Sequence, residues 1–112
     1  MLFRSFIATA LSAFVPAGAQ TYPDHPVTFI VGFPPGSSSD IVARNFGARL
    51  SERLGKPFII ENKPGAGSII AAQTTARATP DGHTILVAPS GTIAINPSLY
   101  KNLPYDPIKD FA

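Results

Sequence analysis

The chain has 112 residues, 14% of them charged and 45% apolar, with a formal charge of +2 and no cysteine. That balance suits one small folded domain and excludes a disordered or polyelectrolyte chain. The basic residues form no run, which speaks against a nucleic-acid face, and without thiols there is neither a disulfide framework nor a thiolate metal site.

The chain opens on material unlike the rest. Met1–Ser5 carries one basic residue, Arg4, and "FIATALSAFV" then runs apolar from Phe6 to Val15. Ala17 and Ala19 take the small positions of an A-x-A cleavage site. Residues 1–19 therefore read as a secretory signal peptide cut after Ala19, leaving an exported chain from Gln20. A membrane anchor would need about 20 apolar residues, and this run is shorter.

"VTFIVGF" (Val27–Phe33) is an almost unbroken apolar run, as a parallel strand buried on both faces requires. A helix start follows, with Ser37 and Asp40 spaced as a capping box. Val42, Phe46, Leu50 and Leu54 recur every four residues as an apolar stripe, and Arg44, Arg49, Glu52 and Arg53 fall on the other side. Gly55 suits the position just past the helix, and Pro57 prevents its continuation. "FIIEN" (Phe58–Asn62) is a second strand, "KPGAGS" a loop, and Ile69–Ala78 a helix of small residues able to approach a sheet closely. Thr79–Gly82 is a turn, Thr84–Ala88 a third strand, and a short helical turn is expected near Ile93–Tyr100.

Two strand–helix–strand units imply right-handed crossovers and a parallel α/β sheet with helices on its faces. Ligands bind such sheets beyond the carboxyl ends of the strands. "PPGSSSD", "KPGAGS" and "PSGT" are the three loops there. The serines of the first stand at a helix N-terminus, where free N–H groups and the helix dipole favour an anion.

Other chemistries fit poorly. The phosphate-loop pattern G-x-x-x-x-G-K-[ST] does not occur. After Gly65 and Gly67 the third glycine of a dinucleotide fingerprint would fall on Ile70. Ser90 lies in "APSGT" rather than G-x-S-x-G, and His83, an imaginable partner with Asp40, precedes a strand at the opposite edge. His25 and His83 look too few and too widely spaced for zinc and read as surface residues. Asp40 is most simply a cap. Nothing here reads as an enzyme, and no cofactor or metal is called for.

The ordered motifs carry a resemblance over Tyr22–Ala112. They are Tyr22-Pro23, Phe33-Pro34-Pro35-Gly36 with Asp40, Glu61-Asn62-Lys63-Pro64-Gly65-Ala66-Gly67, Pro80-Asp81-Gly82, Asn96-Pro97 and Leu103-Pro104-Tyr105-Asp106-Pro107. Together they resemble the N-terminal part of the Bug family, the TctC-like periplasmic solute receptors of tripartite tricarboxylate transporters. The resemblance implies a type II periplasmic binding-protein fold, two α/β lobes closing on a small carboxylate-bearing solute, with residues 20–112 supplying the first part of the first lobe. It also implies membrane permease subunits as partners and a periplasmic location.

By the same resemblance, Phe33, Pro34, Pro35, Gly36, Ser37, Ser38, Ser39 and Asp40 face the cleft with Ser90, Gly91 and Thr92. They would offer backbone and hydroxyl contacts to a ligand carboxylate, partly through ordered water. The sequence departs from the family pattern at Ser37, and at Ser68 and Ala71, where glycines are common. Family members also continue well past Ala112, and an open three-stranded sheet leaves edges bare. The chain therefore reads as a fragment or truncated product. A small exported hydrolase and a stand-alone exported interaction domain are the alternatives.

Overall fold

A computed structural model describes residues 21–111, so the segment read as a signal peptide lies outside the described residues. Strands β1 (Val27–Val31), β2 (Phe58–Asn62) and β3 (Thr84–Val87) form a parallel sheet in the order β2-β1-β3. β1 is flanked on both sides, which is why its five residues are apolar or half-buried Thr28. It stops at Val31 rather than Phe33, and β3 stops at Val87, because the chain turns away there into the loops of the carboxyl edge.

The path sets which face each helix covers. From β1 the chain steps outward to β2, then returns past β1 to β3. Crossovers of one hand with opposite steps put their helices on opposite faces of the sheet. Helix α1 (Ser38–Leu54) covers the face bearing Val27, Phe29 and Val31. The register brings Phe58 and Ile60 of β2, and Ile85 and Val87 of β3, alongside them on the same face. Ala43 and Leu50 close this core from the helix, and the Phe29 and Phe58 rings meet edge to face at 5.4 Å. Helix α2 (Ile69–Arg77) packs on the other face through buried Ala71 and Ala72.

The face of α1 that meets the sheet is not the stripe expected from sequence. Val42, Phe46 and Leu54 are exposed, and the buried positions are Asp40, Ala43 and Gly47. A repeat of four residues precesses about 40° per step around a helix of 3.6 residues per turn. The stripe therefore winds off the sheet, and only Leu50 falls on the core side. Small residues do the packing: a Cβ on Gly47 would stand 3.3 Å from Ile60 Cδ1 and 3.5 Å from Phe58 Cβ.

His83 is a second correction. It is 8% exposed, not a surface residue, and its ring stacks on that of His25 with centroids 3.6 Å apart. Separation along the chain says nothing of separation in space once β1 and β3 are neighbours. No helix among the described residues is long and apolar enough to cross a membrane.

The close approach of α1 gives an expected outcome. Gly47→Leu drives a branched side chain into β2 and lowers stability by about 1–3 kcal/mol, outweighing a helix-propensity gain of about 1 kcal/mol. Phe46→Ala, one residue away on the exposed face, stays within about 0.5 kcal/mol. Urea-unfolding midpoints of the two variants check the assignment of faces.

Candidate functional site

The step from β1 out to β2 and back to β3 makes the gap between β1 and β3 a topological switch point, the place where open α/β sheets leave a crevice. The loop that leaves β1 there, together with the first turn of α1, and the loop that leaves β3 contain all the residues read from sequence as candidates.

In the first loop Phe33 is half-buried and Pro34, Pro35 and Gly36 are exposed, Gly36 in the left-handed region with φ 89°. Ser37 is the N-cap of α1, and its Oγ accepts from the Asp40 N–H at 3.3 Å. The reciprocal bond falls one residue earlier than a capping box predicts, with Gly36 N–H donating to Asp40 Oδ2 at 2.9 Å. Ser37 N–H donates to the Pro34 carbonyl at 3.2 Å, so it is engaged within the turn. Ser38 is exposed and Ser39 half-buried. Their N–H groups, the first two of the helix, have no acceptor among the described residues.

Asp40 does more than cap. It is 2% exposed, and besides Gly36 it accepts from Arg44 Nε at 2.9 Å and from Asn62 Nδ2 at 2.9 Å. Asn62 Nδ2 also donates to the Phe33 carbonyl at 3.0 Å, and Arg44 Nη2 reaches Asn62 Oδ1 at 3.3 Å. These donors, Arg44 foremost, hold the Asp40 carboxyl down at about 2. Arg44 was legible as the i+4 partner of Asp40. Asn62 was not, because only the pairing of β2 with β1 brings it there.

In the second loop Ser90 is exposed, Gly91 half-buried and Thr92 buried. Gly91–Ile95 winds as a wide turn, with Asn96 N–H donating to the Gly91 carbonyl, and runs into α3 (Asn96–Leu99). The helical turn thus begins two residues before Ile93. Thr92 N–H donates to the Pro89 carbonyl at 3.1 Å, and Thr92 Oγ1 is buried without a partner among the described residues. Of the two hydroxyls, Ser90 is the one at the surface.

The "NP" and "LPYDP" motifs fix this loop. Tyr105, 4% exposed, donates its hydroxyl to the Thr92 carbonyl. Asn96 Nδ2 reaches Tyr105 Oη at 3.2 Å and the Gly67 carbonyl at 3.3 Å, tying the loop after β3 to the loop after β2. That middle loop is wedged against β1: Ser68 has φ 72°, is fully buried, and leaves its Oγ without a partner among the described residues. A Cβ on Gly32 would lie 2.0 Å from Ser68 Oγ and 2.9 Å from Ser68 Cα.

A hydrolase centre is not assembled from these residues. His83 precedes β3 at the amino end of the sheet, Ser90 follows it at the carboxyl end, and Asp40 is locked by Arg44 and Asn62. Three surface clefts of about 660, 550 and 430 Å³ lie elsewhere, none lined by residues 33–40 or 90–92. The two loops form an open wall.

The chain belongs to a known family. The profile described as the tripartite tricarboxylate transporter family receptor, TctC, matches residues 42–112. A UPF0065 protein of Bordetella pertussis is 46% identical over 105 residues, covering 94% of this chain and 32% of its own. The Bordetella pertussis protein BugT is 42% identical, with 94% and 32% covered. The chain thus spans about a third of the curated relatives it matches. Among solved structures, the periplasmic binding protein BugD superposes with a TM-score of 0.75 at 42% identity, over 80% of this chain and 29% of its own. MatC from Rhodopseudomonas palustris, solved with bound malate, superposes at 0.75 and 43% identity, over 80% and 30%. An R. palustris protein solved with adipate gives 0.74 and 38%, over 78% and 29%.

Two outcomes test this wall. Asp40 has a carboxyl lowered from 3.8 to about 2, so its contribution to stability is present above pH 3.8 and lost as pH falls through about 2. Asp40→Asn should lower the unfolding midpoint at neutral pH, and its difference from wild type should shrink across that acid window. In the second, Gly32→Ala destabilises strongly, Ser68→Gly alone stabilises by about 1 kcal/mol by relieving the left-handed serine and its orphaned hydroxyl, and the double variant recovers only in part. Residual loss in the double variant reflects the backbone contact at Ser68 Cα.

Proposed function

We propose that residues 20–112 build the first part of the first lobe of an extracytoplasmic solute receptor. Its open wall at the β1–β3 switch point takes one carboxylate of a small solute for a tripartite tricarboxylate-type transporter. On this reading the chain is exported to the periplasm after cleavage near Ala19, binds rather than transforms its solute, and hands it to membrane permease subunits. The ligand residues are Phe33–Asp40 and Ser90–Thr92.

The observation that carries the reading is the pair of N–H groups of Ser38 and Ser39, unengaged among the described residues, at the start of a 17-residue helix. Such a terminus favours an anion by about 0.3–1 kcal/mol when exposed and by up to about 2 kcal/mol when partly buried. A carboxylate in the first turn would normally oppose this. Asp40 does not, because it is turned inward and its charge is met by Arg44. Ser90, at the surface of the neighbouring loop, adds a hydroxyl donor. Malate and adipate, the ligands in two related structures, are both dicarboxylates.

The test grafts residues 21–111 into MatC in place of the matching segment. Titration calorimetry with mono- and dicarboxylates should show binding by the chimera. Ser38→Pro removes one N–H while keeping a backbone suited to the first helical turn. Losing a hydrogen bond to a charged group costs about 1.5–3 kcal/mol, so affinity should fall roughly 10- to 100-fold with the melting temperature of the empty chimera unchanged. A folded chimera that binds no carboxylate, or binds equally well with Ser38→Pro, overturns the proposal.

A further inference from the structure

At the amino end of the sheet, opposite the anion wall, Asp24 and His25 of the segment entering β1 meet Asp81 and His83 of the turn entering β3. The His83 imidazole stacks on the His25 ring, parallel to within 11°, and also meets the ring of Tyr22, tilted, with centroids 5.0 Å apart. His83 Nδ1 is 3.0 Å from the Asp81 carbonyl oxygen. A carbonyl only accepts, so this contact assigns the proton to Nδ1 and leaves the lone pair on Nε2.

That lone pair is in an unusual position. Nε2 is buried and has no hydrogen-bond partner among the described residues, yet Asp24 Oδ1 lies 3.0 Å away. Asp24 Oδ1 also has His25 Nδ1 at 2.6 Å. Toward the His83 lone pair, however, it presents an acceptor to an acceptor, and such a pair repels unless a positive centre joins them. A proton on Nε2 would not point at that oxygen, since the contact lacks hydrogen-bond geometry. A larger cation has no such directional demand.

We infer that Asp24, His25 and His83 form a binding site for a divalent cation of the zinc class. Their ligand atoms all lie within 4.8 Å of one another, a spacing that groups bound at about 2.0–2.2 Å from one ion close up to. Imidazole nitrogens with a carboxylate oxygen select zinc and its neighbours, whereas magnesium and calcium take oxygen ligands alone. The Asp81 carbonyl on His83 Nδ1 is the outer partner that orients a metal-binding histidine. A lone pair lies in its ring plane, so stacked rings cannot both reach one ion as they lie. His25, with 51% of its side chain exposed, is the ring that turns. The bound ion cross-links the entry of β1 to the entry of β3.

Zinc titrated calorimetrically into the tag-free full chain at neutral pH, with magnesium as control, tests this. One equivalent should bind at about micromolar affinity or tighter, and cobalt(II) should give the visible bands of a tetrahedral site. At free zinc about a hundredfold above Kd the melting temperature should rise by roughly 10 °C, reversed by chelator. His25→Phe keeps a ring stacked on His83 but removes both nitrogens. It should weaken zinc at least about tenfold, with the melting temperature in the absence of metal nearly unchanged. Asp24→Asn should do the same. Absence of saturable zinc binding, or binding undiminished in both folded variants, overturns the site.

Discussion

The loop after β1 holds its shape because the Asp40 carboxylate is met from three directions. Gly36 N–H comes from the loop, Arg44 Nε from the next turn of α1, and Asn62 Nδ2 from the end of β2. A buried carboxylate without such partners would be costly to maintain, so each donor is required as much as it is helpful. The same bonds settle the field at the helix start. With its charge matched inside the fold, Asp40 leaves the positive end of α1 facing outward.

A division of the amides follows from this. The N–H groups of Gly36, Ser37 and Asp40 are all engaged by the loop itself, while those of Ser38 and Ser39 have no acceptor among the described residues. The loop after β3 is built on the same plan, since Tyr105 and Asn96 hold it from within and Ser90 is left at the surface. Each loop at the switch point is thus tied to another part of the chain: the first by Asn62, the second by Tyr105 and, through the Asn96 side chain, by the Gly67 carbonyl. A wall anchored in this way holds those donors in place by itself, and on the proposed reading that lowers the ordering cost of binding.

Much of this was legible in the sequence, for physical reasons that can be named. The apolar run at Val27 and the Ser37–Asp40 spacing report local rules, strand burial and helix capping, and both elements start where those rules place them, although β1 ends two residues early at Val31. The parallel pairing follows from strand–helix alternation. What failed needed tertiary information. Val42 and Phe46 obey a helical spacing, but nothing local says which side of α1 meets a sheet, and Ala43 and Gly47 packed closely there instead. His25 and His83 looked unrelated until β1 and β3 became neighbours. Asn62 carried no mark beyond closing a strand, and its role exists only through register. The placement of Ser38 at the first helical position was local, and so was readable.

The seam of small residues also explains why the helix start is fixed in place rather than merely near the sheet. Ala43 and Gly47 let α1 lie close to β2, and it is then bridged to that strand at both ends. Asn62, the last residue of β2, bonds Asp40, while Ser51 Oγ accepts from the N–H of Phe58, the first residue. From Asp40 to Ser51 the helix rises about 16 Å. From Phe58 to Asn62 the strand rises about 13 Å, and the reach of the Asn62 side chain covers the remainder. Sliding α1 by one turn, about 5.4 Å, would break both bridges at once and uncover the Phe58 amide and the Asp40 carboxylate. The Ser38 and Ser39 amides, without an acceptor among the described residues, therefore stand at a fixed height above the carboxyl edge, held by the bridges to Asn62 and Phe58.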